Sequence, residues 1–201
     1  ADVDNLGQTF VAGFAGKYAT LSRTAALSRQ LSIFFKYYIR SILKNGEYHI
    51  DGEKKLTERN ATIVYSGGDD VFIVGAWNEV IELSIDLQEK FKKYTQGTLS
   101  ISSGIGIYEC TYPIGAIANE TGEMEAESKR MPEKDSVTLM DDGETHLINE
   151  LEICDGTYRW EELYKSVLGE KYDVIQDFLG ESDERGMSFL YRMLELIRNQ
   201  K

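Results

Sequence analysis

A four-residue bend, Gly67 to Asp70, limits the fold more than any other part of the sequence. It separates two short runs, 61–65 and 71–74, that are rich in β-branched and aromatic residues, and this arrangement is typical of an antiparallel hairpin. Glycines let another molecule approach the backbone closely, and adjacent aspartates at a turn can both reach one divalent cation. The sequence therefore predicts a hairpin with Asp69 and Asp70 as candidate metal ligands, although a solvated turn fits the same residues.

The hydrophobic spacing changes several times along the chain. Apolar residues three or four apart predict helices over about 27–42, 80–91 and 114–130, and alternation predicts strands over 99–107 and 136–140. A strand at residues 1–4 is followed by a glycine-punctuated loop, and the first helix is expected to end near Asn45. The order is β-α-β-β-α-β-α-β, whose first six elements have the split βαβ pattern of a ferredoxin-like α+β fold.

Beyond about residue 145 the pattern indicates helices only. Three apolar stripes separated by glycines recur there, and about 50 helical residues enclose little core by themselves. We therefore predict two domains, an α+β domain over residues 1–142 and a helical segment over 143–201 that begins a further helical domain. The opening strand lacks a lead-in, so we expect the chain to be a piece of a larger protein.

Charge and composition exclude several classes of protein. The chain has 34 acidic and 22 basic residues and a net charge of −12, which argues against a surface that grips nucleic acid by itself. No apolar run is long enough for a membrane helix. Cys110 and Cys154 have no partner at metal-binding spacing, which fits a reducing compartment. We expect a soluble, cytoplasmic protein with no membrane partner.

Asp2 and Asp4 extend the candidate metal site. Residues two apart on a strand share a face, and the split βαβ order places this strand beside the hairpin. A carboxylate there would close a two-metal site with Asp69 and Asp70, of the kind that activates a 3′ hydroxyl and stabilises a pyrophosphate leaving group. We expect Mg²⁺ or Mn²⁺, because these ions prefer oxygen ligands. Strand-end aspartates that face water are the simpler interpretation of this pair alone.

Basic and hydroxyl side chains supply weaker candidates for phosphate binding. Lys129, Arg130 and Lys134 form a compact basic cluster that fits either a triphosphate contact or the helix dipole. Ser66 and Ser103 could hydrogen-bond phosphate or ribose, although small strand residues more often serve packing.

Other polar groups have plainer interpretations. The acidic run from Glu120 to Glu127 is expected to be a solvated helix face. His49 and His146 are isolated from each other and from cysteine, so we expect them on the surface.

Two motifs together resemble a known family. The segment Asp2-Val-Asp-Asn5-Leu-Gly7 opens a strand, and Gly67-Gly68-Asp69-Asp70 lies on the following hairpin. In this combination the chain is similar to the GGDD palm domain of the large subunit of type III CRISPR effector complexes, of the III-A subtype. The segment from Lys129 to Leu139 adds to the match, although Glu133 and Asp135 replace the usual glycine and asparagine of its turn.

The resemblance implies a palm, related to nucleotide cyclases, that joins ATP molecules into cyclic oligoadenylates when the complex binds target RNA. It assigns Asp2, Asp69 and Asp70 to catalysis and to Mg²⁺ or Mn²⁺. It carries Lys129 and Lys134 over as phosphate contacts. With the glycines, the serines and the opening-motif asparagine, the candidate nucleotide-binding residues are Asn5, Ser66, Gly67, Gly68, Ser103, Lys129 and Lys134. The implied partners are ATP, a second palm of the same subunit, other effector subunits, guide RNA and target RNA. One palm supplies half of a two-ATP site, so we expect little activity from this chain alone.

Two alternative functions stay open at this point. One is a diguanylate-cyclase-type enzyme that uses GTP, although the fourth hairpin residue is Asp70 where that signature has Glu. The other is a non-catalytic palm with a structural or nucleotide-sensing role in a ribonucleoprotein. The intact aspartates argue against such a decayed site.

Overall fold

The computed structural model describes residues 1–14, 16–47, 58–141 and 143–180, together with 191, 192 and 196. His49 and most of the apolar stripe predicted beyond residue 180 lie outside these residues. The strands, in chain order, are β1 (Asp2–Val3), β2 (Ala61–Ser66), β3 (Val71–Gly75), β4 (Ile101–Ile105), β5 (Ser136–Leu139), β6 (Thr145–Ile148), β7 (Leu151–Cys154) and β8 (Thr157–Arg159). The α-helices are α1 (Leu6–Ala12), α2 (Leu21–Ile33), α3 (Ile39–Lys44), α4 (Trp77–Tyr94), α5 (Ile114–Ser128), α6 (Trp160–Glu162) and α7 (Tyr172–Gly180).

The central sheet has the order expected for a ferredoxin-like fold. Strands β1, β4, β5 and β8 are neighbours in that order, with β1–β4 antiparallel and β4–β5 parallel. The β2–β3 hairpin lies on the other side of β1, because Val3 N donates to Asp69 O (3.1 Å) and Val71 N donates to Ala1 O (2.9 Å). The order β2-β3-β1-β4 is that of the split βαβ unit, so the predicted fold class is confirmed.

The main hydrophobic core lies between this sheet and two helical segments. A π-helical turn, Phe34–Tyr38, joins α2 to α3, and the predicted end of this helix near Asn45 is confirmed. The rings of Phe34, Phe35 and Phe91 pack together, with Phe34 and Phe91 edge to face at 5.1 Å. Val3, the neighbour of Asp2 in β1, is buried in this core, so alternation along the strand directs Asp2 to the opposite face.

Two sequence predictions about loops and helices are wrong. The glycine-punctuated loop after β1 contains α1, which forms because Leu6 and Phe10, four residues apart, both pack against the core. The stretch after residue 145 does not contain helices only, because β6, β7 and β8 lie there. The β6–β7 turn uses Asn149 and Glu150 at φ 49° and 70°, a hairpin turn without the glycine that signals one in a sequence.

The chain divides into two compact units, residues 1–160 and 161–201. The first closes at Trp160, whose indole N–H donates to Ile101 O (2.7 Å) in β4. The second contains a π-helical segment, Leu163–Lys171, that continues into α7. None of the described helices is both long and apolar enough to cross a membrane.

Candidate functional site

The glycine-rich turn places two aspartates at the junction of β3 and β1. Gly67 N donates to Asp70 O (2.9 Å), which closes the turn. A Cβ on Gly67 would meet the Tyr65 hydroxyl at 2.3 Å and Asp70 Oδ1 at 2.4 Å, so a larger residue would displace both groups. The space around Gly68 is open, which leaves its backbone accessible to a ligand.

Asp2, Asp69 and Asp70 come together at this junction. Asp2 and Asp70 face each other in an antiparallel bridge, and all three residues line the same cavity. Burial raises the pKa of Asp69, and the negative charges of Asp2 and Asp70 raise it further. The Asp69 carboxylate therefore lies close enough to the other two to be repelled by them. In the described ranges, however, no three acidic, histidine or cysteine side chains already have a metal-binding arrangement.

Lys129 supplies the positive charge at this end of the cavity. It directly follows α5, and its ammonium donates to Asp2 Oδ2 and contacts Glu125 Oε1 at 2.6 Å. Burial alone lowers the pKa of Lys129, but the hydrogen bonds from its ammonium to Asp2 and Glu125 outweigh burial and raise it. Lys129 therefore stays charged and holds the Asp2 carboxylate in place.

Glu125 is a site residue that the sequence analysis missed. The acidic run was expected to be a solvated face, but Glu125 lines the cavity and contacts Lys129. Glu127 is also engaged, because its carboxylate accepts from Cys154 N (3.1 Å) and pairs with Arg130. In the sequence, the spacing of four residues between Glu125 and Lys129 was the feature that could have predicted their contact.

Asp4 has a different role from Asp2. It is buried, and its Oδ2 accepts from Ser100 Oγ (2.7 Å) and from Asp135 N (3.1 Å). β1 ends at Val3, so Asp4 no longer follows the strand alternation that would place it beside Asp2. Asp4 therefore anchors the turn that carries Lys134.

That turn is held in an unusual backbone conformation. Glu133, Lys134 and Asp135 have φ values of 71°, 58° and 50°, a left-handed run that side chains rarely adopt. The Asp135 carboxylate accepts from Gln88 (3.1 Å) in α4, and Glu133 pairs with Arg159 at 3.1 Å. The two acidic replacements in this turn are thus paired with groups of the domain itself.

The remaining nucleotide-binding candidates are distributed unevenly. Ser103 lines the cavity. Ser66 Oγ donates to Phe35 O (2.5 Å), so its hydroxyl is engaged by the helical layer. Asn5 is exposed with φ 54°, and its carbonyl accepts from Thr9 N (3.0 Å) at the start of α1. Neither Ser66 nor Asn5 is among the cavity-lining residues.

The cavity has a volume of about 930 Å³, and Glu109, after β4, adds an acidic residue to its lining besides the aspartates and Glu125. Most of the remaining lining consists of apolar residues of β3, β4, α4 and α5. The rings of Tyr108 and Tyr112 stack at 5.3 Å, and burial together with Glu120 raises the pKa of Tyr108 to about 12. That phenol therefore stays neutral at physiological pH.

This fold and these acidic groups define a palm domain, in which strand and hairpin carboxylates meet where β1 and β3 lie side by side in a ferredoxin-like sheet. A family model described as the second palm domain of Cas10/Cmr2 matches residues 1–138, and the chain belongs to that family. The resemblance drawn from the two motifs is thereby confirmed.

Curated relatives of the chain are named as subtype III-A proteins. The chain is 45% identical over 201 residues to a protein of Mycobacterium tuberculosis named CRISPR system single-strand-specific deoxyribonuclease Cas10/Csm1 (subtype III-A). A protein of the same name from Enterococcus italicus is 41% identical over 200 residues. These alignments cover 98% and 100% of this chain but 23% of each relative, so the chain spans about a quarter of their length.

Solved structures agree with this placement. The chain is similar, with a TM-score of 0.68 and 30% identity, to Csm1 in a Csm1–Csm4 cassette in complex with one ATP, and the match covers 82% of this chain and 22% of that one. A Csm1–Csm4 cassette in complex with cA4 matches with a TM-score of 0.64 and 25% identity over 89% of this chain and 27% of that one.

Proposed function

We propose that this chain is the palm that converts ATP to cyclic oligoadenylates within a type III-A CRISPR complex activated by target RNA. The observation that carries the proposal is the meeting of Asp2, Asp69 and Asp70 at one end of a cavity, beside Lys129. The Csm1–Csm4 structures with ATP and with cA4 support the same substrate and product class.

The three aspartates fit the divalent cations that such chemistry uses. All three carry hard carboxylate oxygens, and burial together with the negative charges of Asp2 and Asp70 raises the pKa of Asp69. We propose that Asp2, Asp69 and Asp70 hold Mg²⁺ or Mn²⁺. When bound, these ions would lower the pKa of the attacking 3′ hydroxyl and neutralise the leaving pyrophosphate.

The other residues of the site bind and position the nucleotide. Gly68 leaves the turn backbone open to a phosphate, and Ser103 presents a hydroxyl at the cavity wall. Lys129 pairs with Asp2 and places one positive charge at the acidic end, where it would contact a triphosphate. Lys134, on its anchored left-handed turn, is the second proposed phosphate contact.

The longer protein to which this palm belongs has further proposed partners. They are a second palm that completes the two-ATP site, other effector subunits such as a Csm4, guide RNA and target RNA. The curated relatives are named as single-strand-specific deoxyribonucleases, and we propose that activity for the longer protein without assigning it to this palm.

The test uses the assembled complex with ATP, a divalent cation and target RNA, and measures products by mass spectrometry. Asp69→Ala combined with Asp70→Ala is expected to reduce oligoadenylate output by on the order of 1,000-fold, because several kcal/mol of charge stabilisation is lost. Asp173→Ala with Asp177→Ala, two exposed residues of α7, changes the net charge equally and should leave output unchanged. Unchanged output from the Asp69 and Asp70 variant would refute the proposal.

Nucleotide preference separates the two alternative functions. ATP with Mg²⁺ should raise the thermal midpoint of the complex more than GTP does, because a ligand that binds the folded state stabilises it. A larger shift with GTP would favour the diguanylate-cyclase type. No shift with either nucleotide would favour a structural palm.

A further inference from the structure

Positive charge is concentrated in one part of this acidic chain. Between Asp4 and Glu47 the sequence has six Lys or Arg residues and no Asp or Glu, although the net charge of the chain is −12. This segment contains α2, the π-helical turn and α3, which together run from Leu21 to Lys44. The overall acidity therefore does not describe the surface of this helix.

Four of these basic residues form a stripe along the exposed side of the helix. They are separated by seven, four and four residues, the spacing that keeps side chains on one face, and all four are exposed: Arg29, Lys36, Arg40 and Lys44. At a rise of about 1.5 Å per residue the stripe extends over roughly 22 Å. The opposite face, with Leu31, Phe35 and Ile39, is buried in the core.

No acidic side chain in the described part of the protein pairs with this stripe. Lysines on other helices do have such partners: Lys129 contacts Glu125 at 2.6 Å, and Lys165 contacts Glu161 at 2.5 Å, each four residues away. In α3 and the turn before it, positive residues follow each other at the same spacing, so they repel. A negatively charged partner that lies along the helix would remove this repulsion.

We propose that this basic stripe, Arg29, Lys36, Arg40 and Lys44, binds single-stranded RNA through its phosphates. A linear track of cations matches a linear chain of phosphates, and the exposed ring of Tyr37, 68% accessible, offers a stacking surface for a base beside Lys36. A compact acidic protein surface would not require a track of this length.

The helix that carries the stripe also contacts the hairpin of the candidate active site. Phe35, which precedes Lys36, accepts a hydrogen bond from Ser66 Oγ (2.5 Å), and Ser66 directly precedes the glycines of the hairpin. The basic helix and the palm hairpin are therefore elements in direct contact, although the stripe itself lies on the other face of the helix. The choice of RNA rests on the proposed function, in which target RNA activates the complex, whereas recognition of phosphate rests on the charges alone.

The test measures binding by the full-length protein that contains this chain, without ATP, to a fluorescent single-stranded RNA of about 20 nucleotides. Replacing the four stripe residues with Gln is expected to weaken binding by on the order of 100-fold at about 0.1 M salt, and to reduce the slope of log affinity against log salt by about 3. The control replaces Lys92, Lys93, Lys165 and Lys171, all exposed, with Gln, which changes the net charge equally.

Each outcome decides the proposal. It holds if the control binds like the unaltered protein and if Arg29→Lys with Arg40→Lys, which keeps all four charges, binds normally. Equal losses in both Gln variants, or no loss in the stripe variant, would overturn it. Lost assembly with a partner subunit at unchanged RNA affinity would also overturn it, in favour of an acidic protein partner. A parallel measurement uses single-stranded DNA of the same sequence. If the stripe variant lost affinity for that DNA and kept its affinity for the RNA, the choice of RNA would be overturned. The assay contains no nucleotide substrate, so its failure is separate from a failure of the proposed synthesis.

Discussion

At the scale of single residues, position in β1 separates the roles of two aspartates that look alike in the sequence. Asp2 lies in the strand opposite Asp70 and lines the cavity, whereas Asp4 lies beyond the strand and binds the turn of residues 133–135. Lys129 pairs with Asp2, whereas burial first and then the charges of Asp2 and Asp70 raise the pKa of Asp69. The acidic end of the cavity therefore combines one neutralised carboxylate with one that is electrostatically strained.

Asp69→Asn is expected to stabilise the protein in a pH-dependent way. The folded-state pKa of Asp69 lies above its ordinary value of 3.8. The stability that this group contributes at low pH is therefore lost as the pH rises from 3.8 through the folded-state pKa. In chelator, the thermal midpoint of the Asn variant should exceed that of the unaltered protein near neutral pH, and the difference should vanish well below pH 3.8.

Glu123→Gln serves as the control for this comparison, because Glu123 is an exposed residue of α5 and the change in charge is the same. It should show no such pH-dependent difference. An Asn variant that melts below the unaltered protein near neutral pH would contradict the electrostatic interpretation of Asp69.

At the scale of elements, the contact between β4 and α5 sets the position of the basic side of the site. α5 follows β4 and returns to the parallel strand β5, and Glu125 and Lys129 lie at its end. Gly104 in β4 allows the helix to approach, because a Cβ there would lie 2.4 Å from Thr121 O and 2.5 Å from Glu125 N. This glycine therefore controls the distance from the sheet to the helix that carries Glu125.

Gly104→Ala is expected to destabilise the fold by about 1–3 kcal/mol, because the clash is with backbone that cannot rotate away. Gly122→Ala, on the open side of the same helix, should instead stabilise by about 0.5–1 kcal/mol, because nothing lies within 4 Å of its added methyl group. Urea denaturation of the two variants measures both effects. Equal changes would show that the close approach of β4 and α5 does not matter.

At the scale of the whole molecule, a buried ion pair connects the chain entering β2 to α4. Arg59 and Asp86 are 3% and 1% exposed, and Arg59 Nη2 contacts Asp86 Oδ2 at 2.5 Å. Asp86 Oδ2 also accepts from Glu47 N (3.0 Å), so one carboxylate holds the chain on both sides of residues 48–57. The pair therefore fixes the chain that enters the hairpin to α4, in addition to the hydrogen bonds between the hairpin and β1.

Arg59→Met is expected to lower the free energy of unfolding by about 3–5 kcal/mol, because Asp86 is left buried without its cation. Arg59→Met with Asp86→Leu should recover most of that loss, since no buried charge remains at this pair. Lys92→Met, at an exposed pair with Asp135 (3.6 Å), is the control and should cost less than about 1 kcal/mol. Denaturant unfolding measures the stability of all three variants. A double variant as unstable as Arg59→Met would show that the buried, unpaired charge of Asp86 is not the cause of the loss.

The sequence by itself determined the order of the sheet, the hairpin and its aspartates, because these depend on local spacing and on turn residues. It did not reveal β6 to β8, whose strands are short and whose turn uses Asn149 and Glu150 in place of glycine. Net charge also concealed the basic helix, because a sum over the chain carries no position. Only the tertiary structure decided that Asp2 and not Asp4 faces the cavity and that Lys129 pairs with it, because that contact brings together residues more than 100 positions apart.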